Sequence, residues 1–164
     1  MQEVSVIIPN FNGMAYLDGV LAGLECQSVN NFEVILVDNG SSDGSCAFVA
    51  ARYPWVHLIE LPENFGFCKA VNEGIKASRA PYVLLLNNDI EVTDNFIEEM
   101  IFAIKRHPKA FSCAARMIQF HDRDKLDDAG NYYCALGWAY ARGKGKYIHT
   151  YEKEEQIFAS CAGA

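Results

Sequence analysis

The sequence predicts an α/β fold with a mostly parallel central sheet between layers of helices. Three observations carry that prediction. Apolar runs at 4–8, 34–37 and 83–86 are continuous rather than alternating, the pattern of strands covered on both faces. Segments of helical periodicity separate them, as in layered α/β folds. Each run also ends in polar residues: Pro9-Asn10, Asp38, and Asn87-Asn88-Asp89. Open parallel sheets bind ligands outside the carboxyl ends of their strands, where strand order reverses, so three polar strand ends predict one crevice.

The elements follow in order. After the first strand, Leu17, Val20, Leu21 and Leu24 recur at i, i+3, i+4 and i+7 and mark one apolar helical stripe. The second strand runs into Asp38, and 39–44 supply turn residues and a choice of N-caps for a short helix that Pro54 must end. A third strand is expected over 55–60 and a loop over 62–66. A helix follows, marked by Phe67, Ala70, Val71 and Ile75. After the fourth strand, Thr93 is placed to cap a helix carrying Ile97, Met100, Ile101 and Ile104, stopped before Pro108. Beyond Ala110 the pattern weakens. A strand is expected over 111–118, a charged loop over 121–128, a glycine-lysine turn over 143–146 and a last strand over 157–161.

The chain has 164 residues, 51% hydrophobic and 21% charged, within the range of one globular domain with a sizeable core. A net charge of -7 argues against a nucleic-acid partner, which requires clustered Lys and Arg. The six cysteines are widely spaced, with no C-x-x-C pair, and read as reduced core thiols of a cytoplasmic protein. Met1-Gln2-Glu3 leads directly into a strand, and no apolar run approaches the roughly 18 residues of a membrane span. Neither a secretory signal nor a transmembrane segment is expected.

Four segments together carry a family resemblance. Val-Ser-Val-Ile-Ile-Pro-Asn-Phe-Asn-Gly (4–13), Ile-Leu-Val-Asp-Asn-Gly-Ser-Ser-Asp-Gly-Ser (35–45), Asn-Phe-Gly-Phe-Cys-Lys-Ala-Val-Asn-Glu-Gly (64–74) and Leu-Leu-Leu-Asn-Asn-Asp (84–89) resemble the nucleotide-sugar-binding half of family 2 glycosyltransferases in order and spacing. A weaker likeness, from Asp127-Asp128-Ala129-Gly130 to Ser160-Cys161-Ala162-Gly163-Ala164, is similar to rhamnosyltransferase-like members. The resemblance implies a three-layer GT-A fold of Rossmann-like type and inverting transfer from a nucleoside-diphosphate sugar to a glycan or lipid-linked acceptor. Residues 1–108 would form the nucleotide-sugar part and 109–164 the start of the acceptor side.

The residue chemistry fits that expectation. An ionised carboxylate only accepts hydrogen bonds, so Asp38 is suited to the N3-H of uracil or thymine, with Pro9 and Asn10 lining the pocket and Phe11 as an apolar wall. Asp38 equally suits a turn before Asn39-Gly40. Asn64, Gly66 and Phe67 are expected beside the nucleotide and Asn88 on its ribose. Asn87-Asn88-Asp89 stands where the family has its Asp-x-Asp metal motif. Asp89, helped by Asn87, would hold Mg²⁺ or Mn²⁺ with diphosphate oxygens completing the shell. Asn87 replaces the usual first Asp, so the grip on metal should be weak and nucleotide-dependent; a capped strand-to-helix turn would use the same three residues.

The family's general base comes from a Glu-Asp-type motif downstream of the Gly-Ala at 163–164, so no catalytic residue is assigned and the chain is expected to be the N-terminal part of a catalytic domain. Asp127, Asp128, Glu152, Glu154 and Glu155 read as surface carboxylates. Trp138 with Tyr132, Tyr133 and Tyr140 suits either an acceptor cleft or a core. A dinucleotide-dependent oxidoreductase would need G-x-G-x-x-G where this chain has Pro9-Asn10-Phe11-Asn12-Gly13. A nucleotidyltransferase would need a glycine- and lysine-rich loop there. A noncatalytic nucleotide-sugar-binding module stays open beside the enzyme.

Overall fold

In the computed structural model, which describes residues 2–157, strands and helices alternate through the first hundred residues: β1 (Val4–Asn10), α1 (Met14–Glu25), β2 (Phe32–Asp38), α2 (Ser45–Arg52), β3 (His57–Glu60), α3 (Phe67–Ala77) and β4 (Tyr82–Leu85). The four strands form one parallel sheet in the order β3-β2-β1-β4. The chain moves outward from β1 through β2 to β3, then returns to place β4 on the far side of β1. Right-handed crossovers put α1 and α2 on one face and, because the direction reverses, α3 on the other. The reversal lies between β1 and β4.

Side-chain alternation divides the core accordingly. Ile7, Ile35 and Val37 are fully buried against Ala70 of α3. Val6, Ile8, Val34 and Leu36 face the other side, and α1 buries the predicted Leu17, Val20, Leu21 and Leu24. Gly74 lets α3 approach the sheet closely, since a Cβ there would lie 2.4 Å from Ile7 Cγ2. Tyr53, which sequence periodicity did not mark, is fully buried and donates its hydroxyl to Asp18 at 2.6 Å.

Several expectations are corrected. In β4, Val83 and Leu85 remain 41% and 40% exposed, because among the described residues β4 is at the edge of the sheet and α3 packs over β1 and β2. The third strand starts at His57 because Trp55 belongs to the turn that follows α2. On α3 the inward positions are Ala70, Val71 and Gly74, while Phe67 and Ile75 point outward. The N-terminus of α4 (Phe96–Arg106) is capped not by the Thr93 side chain but by Gln27: its Oε1 accepts the Ile97 N–H at 2.8 Å, and its Nε2 donates to the carbonyls of Thr93 and Gly23. The five cysteines within the described residues are free thiols but not core residues. Cys26 and Cys68 are exposed and Cys46, Cys113 and Cys134 half-buried; the first three sit at helix ends, and Cys113 and Cys134 lie outside helices and strands.

The chain divides into two compact units, Met1–Ile101 and Phe102–Ala164, the boundary falling inside α4. The second unit has two short antiparallel pairs, β5 (Met117–Ile118) with β6 (Leu126–Asp128) and β7 (Asn131–Tyr133) with β8 (Ala139–Ala141), then a 3₁₀ turn at Ile148–Tyr151. The strand expected over 111–118 shrinks to its last two residues; Phe111 is fully exposed and pairing is irregular even at Met117 and Ile118. The loop expected over 121–128 ends in β6, anchored by the fully buried Leu126. Asp128 is buried rather than at the surface, accepting the Gly130 N–H at 2.9 Å. Trp138 and Tyr140 are half-exposed, so the aromatic cluster is not a core. Of the last predicted strand, Ile157 is not in a strand and 158–161 lie outside the described residues.

Candidate functional site

The carboxyl ends of β1, β2 and β4 meet in a hydrogen-bonded network. Asn10, 2% exposed, donates its Nδ2 to Asp38 Oδ1 at 2.7 Å and receives Asn88 Nδ2 on its own Oδ1 at 2.7 Å. Asp38, 1% exposed, also accepts the Ser41 hydroxyl on Oδ1 at 2.6 Å and the Ser41 N–H on Oδ2 at 2.8 Å. A carboxylate taken from water this completely requires such donors. Gly13 makes room for the junction: a Cβ there would lie 2.1 Å from Asn88 Nδ2 and 2.4 Å from Asn10 Oδ1.

The loops leaving β1 and β2 are joined by further bonds. Asn12, at φ 50, donates its N–H to Ser41 Oγ and accepts the Ser42 N–H on Oδ1. Asp43 accepts the Met14 N–H at 2.9 Å and the Ser45 N–H at 3.0 Å, tying together the first turns of α1 and α2. The Ser45 hydroxyl, followed by the Met14 N–H, holds the Asp43 carboxyl below its usual range. In the loop after β3, Asn39 Nδ2 donates to Asn64 Oδ1 at 2.8 Å, Asn39 Oδ1 accepts the Phe65 N–H, and Asn64 Oδ1 also takes the Gly66 N–H. Gly40, at φ +79, packs so closely here that a Cβ would lie 2.7 Å from the Glu63 backbone.

Cys46, in the first turn of α2, lies between Asp38 and Glu60. Burial first, then hydrogen bonding to these two carboxylates, pushes its thiol up to about 12. It is therefore a protonated, weakly donating neighbour of Asp38 at neutral pH.

Of the residues selected from sequence, Asn10, Asp38 and Asn88 are joined directly, and Asn64 is linked to the loop after β2 through Asn39. Pro9 is the next-to-last residue of β1, in register with Val37. Phe11 is 47% exposed just beyond it. Gly66 and Phe67 sit at the exposed start of α3, separate from the Asp38 network. Asn87 is half-buried, and Asp89 is exposed in the turn after β4. Sequence reasoning missed Ser41, Asn39, Asn12 and Cys46; the Asp-x-x-Ser spacing of a carboxylate-capped turn was the available signal for Ser41. Among the described residues, no three or more His, Cys, Asp or Glu gather as a metal group. Asp89 and Asn87 offer two hard oxygen donors, which suits a cation only as part of a shell that a phosphate-bearing substrate completes. A surface depression at Gln2, Val29, Asn30 and Asn31 lies at the opposite, amino ends of the strands and holds none of these groups.

The parallel sheet with helices on both faces, and its polar network at the switch point, has the architecture of the GT-A fold. The model of the family described as Glycosyl transferase family 2 matches residues 5–163, and the chain belongs to that family. It is 31% identical over 112 residues to an uncharacterized glycosyltransferase of Haemophilus influenzae, covering 65% of this chain and 44% of that protein. It is 27% identical over 128 residues to the putative teichuronic acid biosynthesis glycosyltransferase TuaG of Bacillus subtilis, covering 76% and 50%. Among solved structures, S. aureus TarS 1-349 in complex with UDP-GlcNAc matches with a TM-score of 0.60 at 26% identity, over 65% of this chain and 32% of that one. The mannosyltransferase PcManGT from Pyrobaculum calidifontis, in complex with GDP-Man and Mn²⁺, shares the fold with a TM-score of 0.58 at 21% identity, over 71% and 35%. The chain spans half or less of the length of these relatives. No helix among the described residues is long and apolar enough to cross a membrane.

Proposed function

We propose that this chain forms the donor side of an inverting glycosyltransferase that takes a sugar from a pyrimidine nucleoside diphosphate, UDP or dTDP, to a hydroxyl of a glycan or lipid-linked acceptor. The observation that carries this reading is the buried Asp38 carboxylate at the sheet's switch point. As an acceptor-only group, that carboxylate suits the N3-H of uracil or thymine. Phe11 supplies an apolar wall, and Pro9, Asn64, Gly66 and Phe67 border the same side of the sheet. The UDP-GlcNAc bound by the TarS relative supports a uridine nucleotide, while the rhamnosyltransferase-like motif favours a thymidine one.

Asp89 and Asn87 would hold a divalent cation that, when bound, offsets charge on the departing diphosphate. With one carboxylate and one neutral amide, they bind it mainly when nucleotide is present. The general base is assigned to none of the described residues: Asp127 pairs with Lys144, Glu154 with Arg106 and His107, and Glu155 with Arg142. Residues 109–164 begin the acceptor side. Lys and Arg number four against fourteen Asp and Glu in Met1–Ile101, but ten against seven in Phe102–Ala164. That excess supports action on an anionic acceptor at the cytoplasmic face of a membrane.

Calorimetric titration with uridine, deoxythymidine and adenosine diphosphates, with and without Mn²⁺, tests the donor site. The pyrimidine nucleotides should bind, more tightly with metal, and the adenine nucleotide should not. Asp38→Ala should weaken binding with or without metal, and Asp89→Ala should remove only the metal-dependent part. If both variants bind like the parent, the assignment fails.

A further inference from the structure

The network at the strand ends has a fixed polarity. Asp38 is an acceptor only, so the buried Asn10 must turn its amide nitrogen toward it, at 2.7 Å. The Asn10 oxygen then faces Asn88, which must in turn present its own nitrogen, also at 2.7 Å. Flipping either amide would set oxygen against oxygen or nitrogen against nitrogen. Asn10 is 2% exposed and Gly13 fills the space beside both amides, so water has little room to repair such a mismatch. The carbonyl oxygen of Asn88 is therefore left pointing away from the network, with no hydrogen-bond donor among the described residues.

We infer that Asn10 is a positioning residue that transmits the charge of Asp38 to Asn88, fixing the Asn88 carbonyl oxygen outward as the acceptor for a ribose hydroxyl of the bound nucleotide. The inference rests on reading this crevice as a nucleotide site. It adds that base recognition at Asp38 and ribose recognition at Asn88 form one polar unit.

The test compares uridine diphosphate with its 2′,3′-dideoxy analogue by calorimetry. A hydroxyl donated to the Asn88 oxygen is worth about 1 to 1.5 kcal/mol, so the parent should prefer the ribonucleotide by roughly tenfold. Asn88→Ala should bring that preference close to one. Asn10→Leu should do the same with Asn88 intact. Asn10→Asp guards against misfolding of the apolar variant. At 2.7 Å from Asp38 the introduced carboxylate must share one proton with it, and that proton replaces the lost amide N–H. With or without that proton its other oxygen still accepts the Asn88 N–H, so its ribose preference should stay parent-like. A parent-like preference in Asn10→Leu, or a lost preference in an Asn10→Asp protein that still binds uridine diphosphate, overturns the inference while leaving the donor site standing. Failure of the parent to bind uridine diphosphate overturns the reading of the crevice and the inference with it.

Discussion

Asn39 and Asn64 hold two separate loops together through their side-chain amides, with Asn39 Nδ2 on Asn64 Oδ1 at 2.8 Å. Asn39 Oδ1 takes the Phe65 N–H at 3.0 Å, so one side chain secures both the side chain and the backbone of the loop after β3. Asn39→Ala removes both bonds and should cost about 1 to 2 kcal/mol in urea unfolding. The sharper signature is local: amides of 62–67 should exchange faster by mass spectrometry, and uridine diphosphate affinity should fall. Unchanged exchange in that segment would mean the loop is held by other contacts.

Two glycines predict opposite responses to the same substitution. Gly13→Ala forces a methyl group into the Asn10–Asn88 junction and should destabilise the fold by about 1 to 3 kcal/mol while weakening nucleotide binding. Gly19 lies on the exposed side of α1 with nothing within 4 Å of its would-be Cβ. Gly19→Ala should stabilise the protein by about 0.5 to 1 kcal/mol and leave binding unchanged. Thermal unfolding of the two variants side by side checks both signs.

The cap on α4 comes from a residue distant in sequence. Gln27→Ala leaves the Ile97 N–H without its acceptor and removes one donor each from the Thr93 and Gly23 carbonyls, the former keeping the Phe96 N–H, and should cost about 2 kcal/mol. Thr93→Ala, at the position expected from sequence to cap the helix, removes only the contact of its hydroxyl with Asn95 and should cost under about 0.5 kcal/mol. Urea titrations that rank the two the other way would restore the local cap.

Glu73 on α3 receives Lys69 at 2.6 Å and Lys76 at 2.9 Å, and these cations, Lys69 first, bring its carboxyl from the ordinary 4.5 down to about 2. The folded value is lower than the unfolded one, so the carboxylate contributes stability above the unfolded value and loses it as pH falls through the folded value. The stability difference between the parent and Glu73→Gln should therefore be constant above about pH 5.5 and shrink between about pH 4.5 and 2. The site is exposed, so added salt should reduce the difference throughout.

The legibility of this chain follows the range of the interactions involved. β1 and β2 are central strands buried on both faces, and their continuous apolar runs identify them directly. The same reasoning misreads Val83 and Leu85, because an apolar run does not say whether a strand lies in the middle or at the edge of a sheet. Asp38, Asn10 and Asn88 were selectable because each ends a strand. From sequence Asn39 and Ser41 show only turn-forming character, since their partners are set by how three loops converge. Past Ala110 the strands are two or three residues long, too short for periodicity to reveal.

The border of the sheet has a practical consequence for handling this protein. Among the described residues, β4 pairs with β1 on one side and with no strand on the other, and two of its apolar side chains remain open to solvent. An unpaired strand of that kind recruits strands from other molecules. Self-association through this edge is expected to rise with concentration and to fall with a charged substitution at Val83, which light scattering over a dilution series checks.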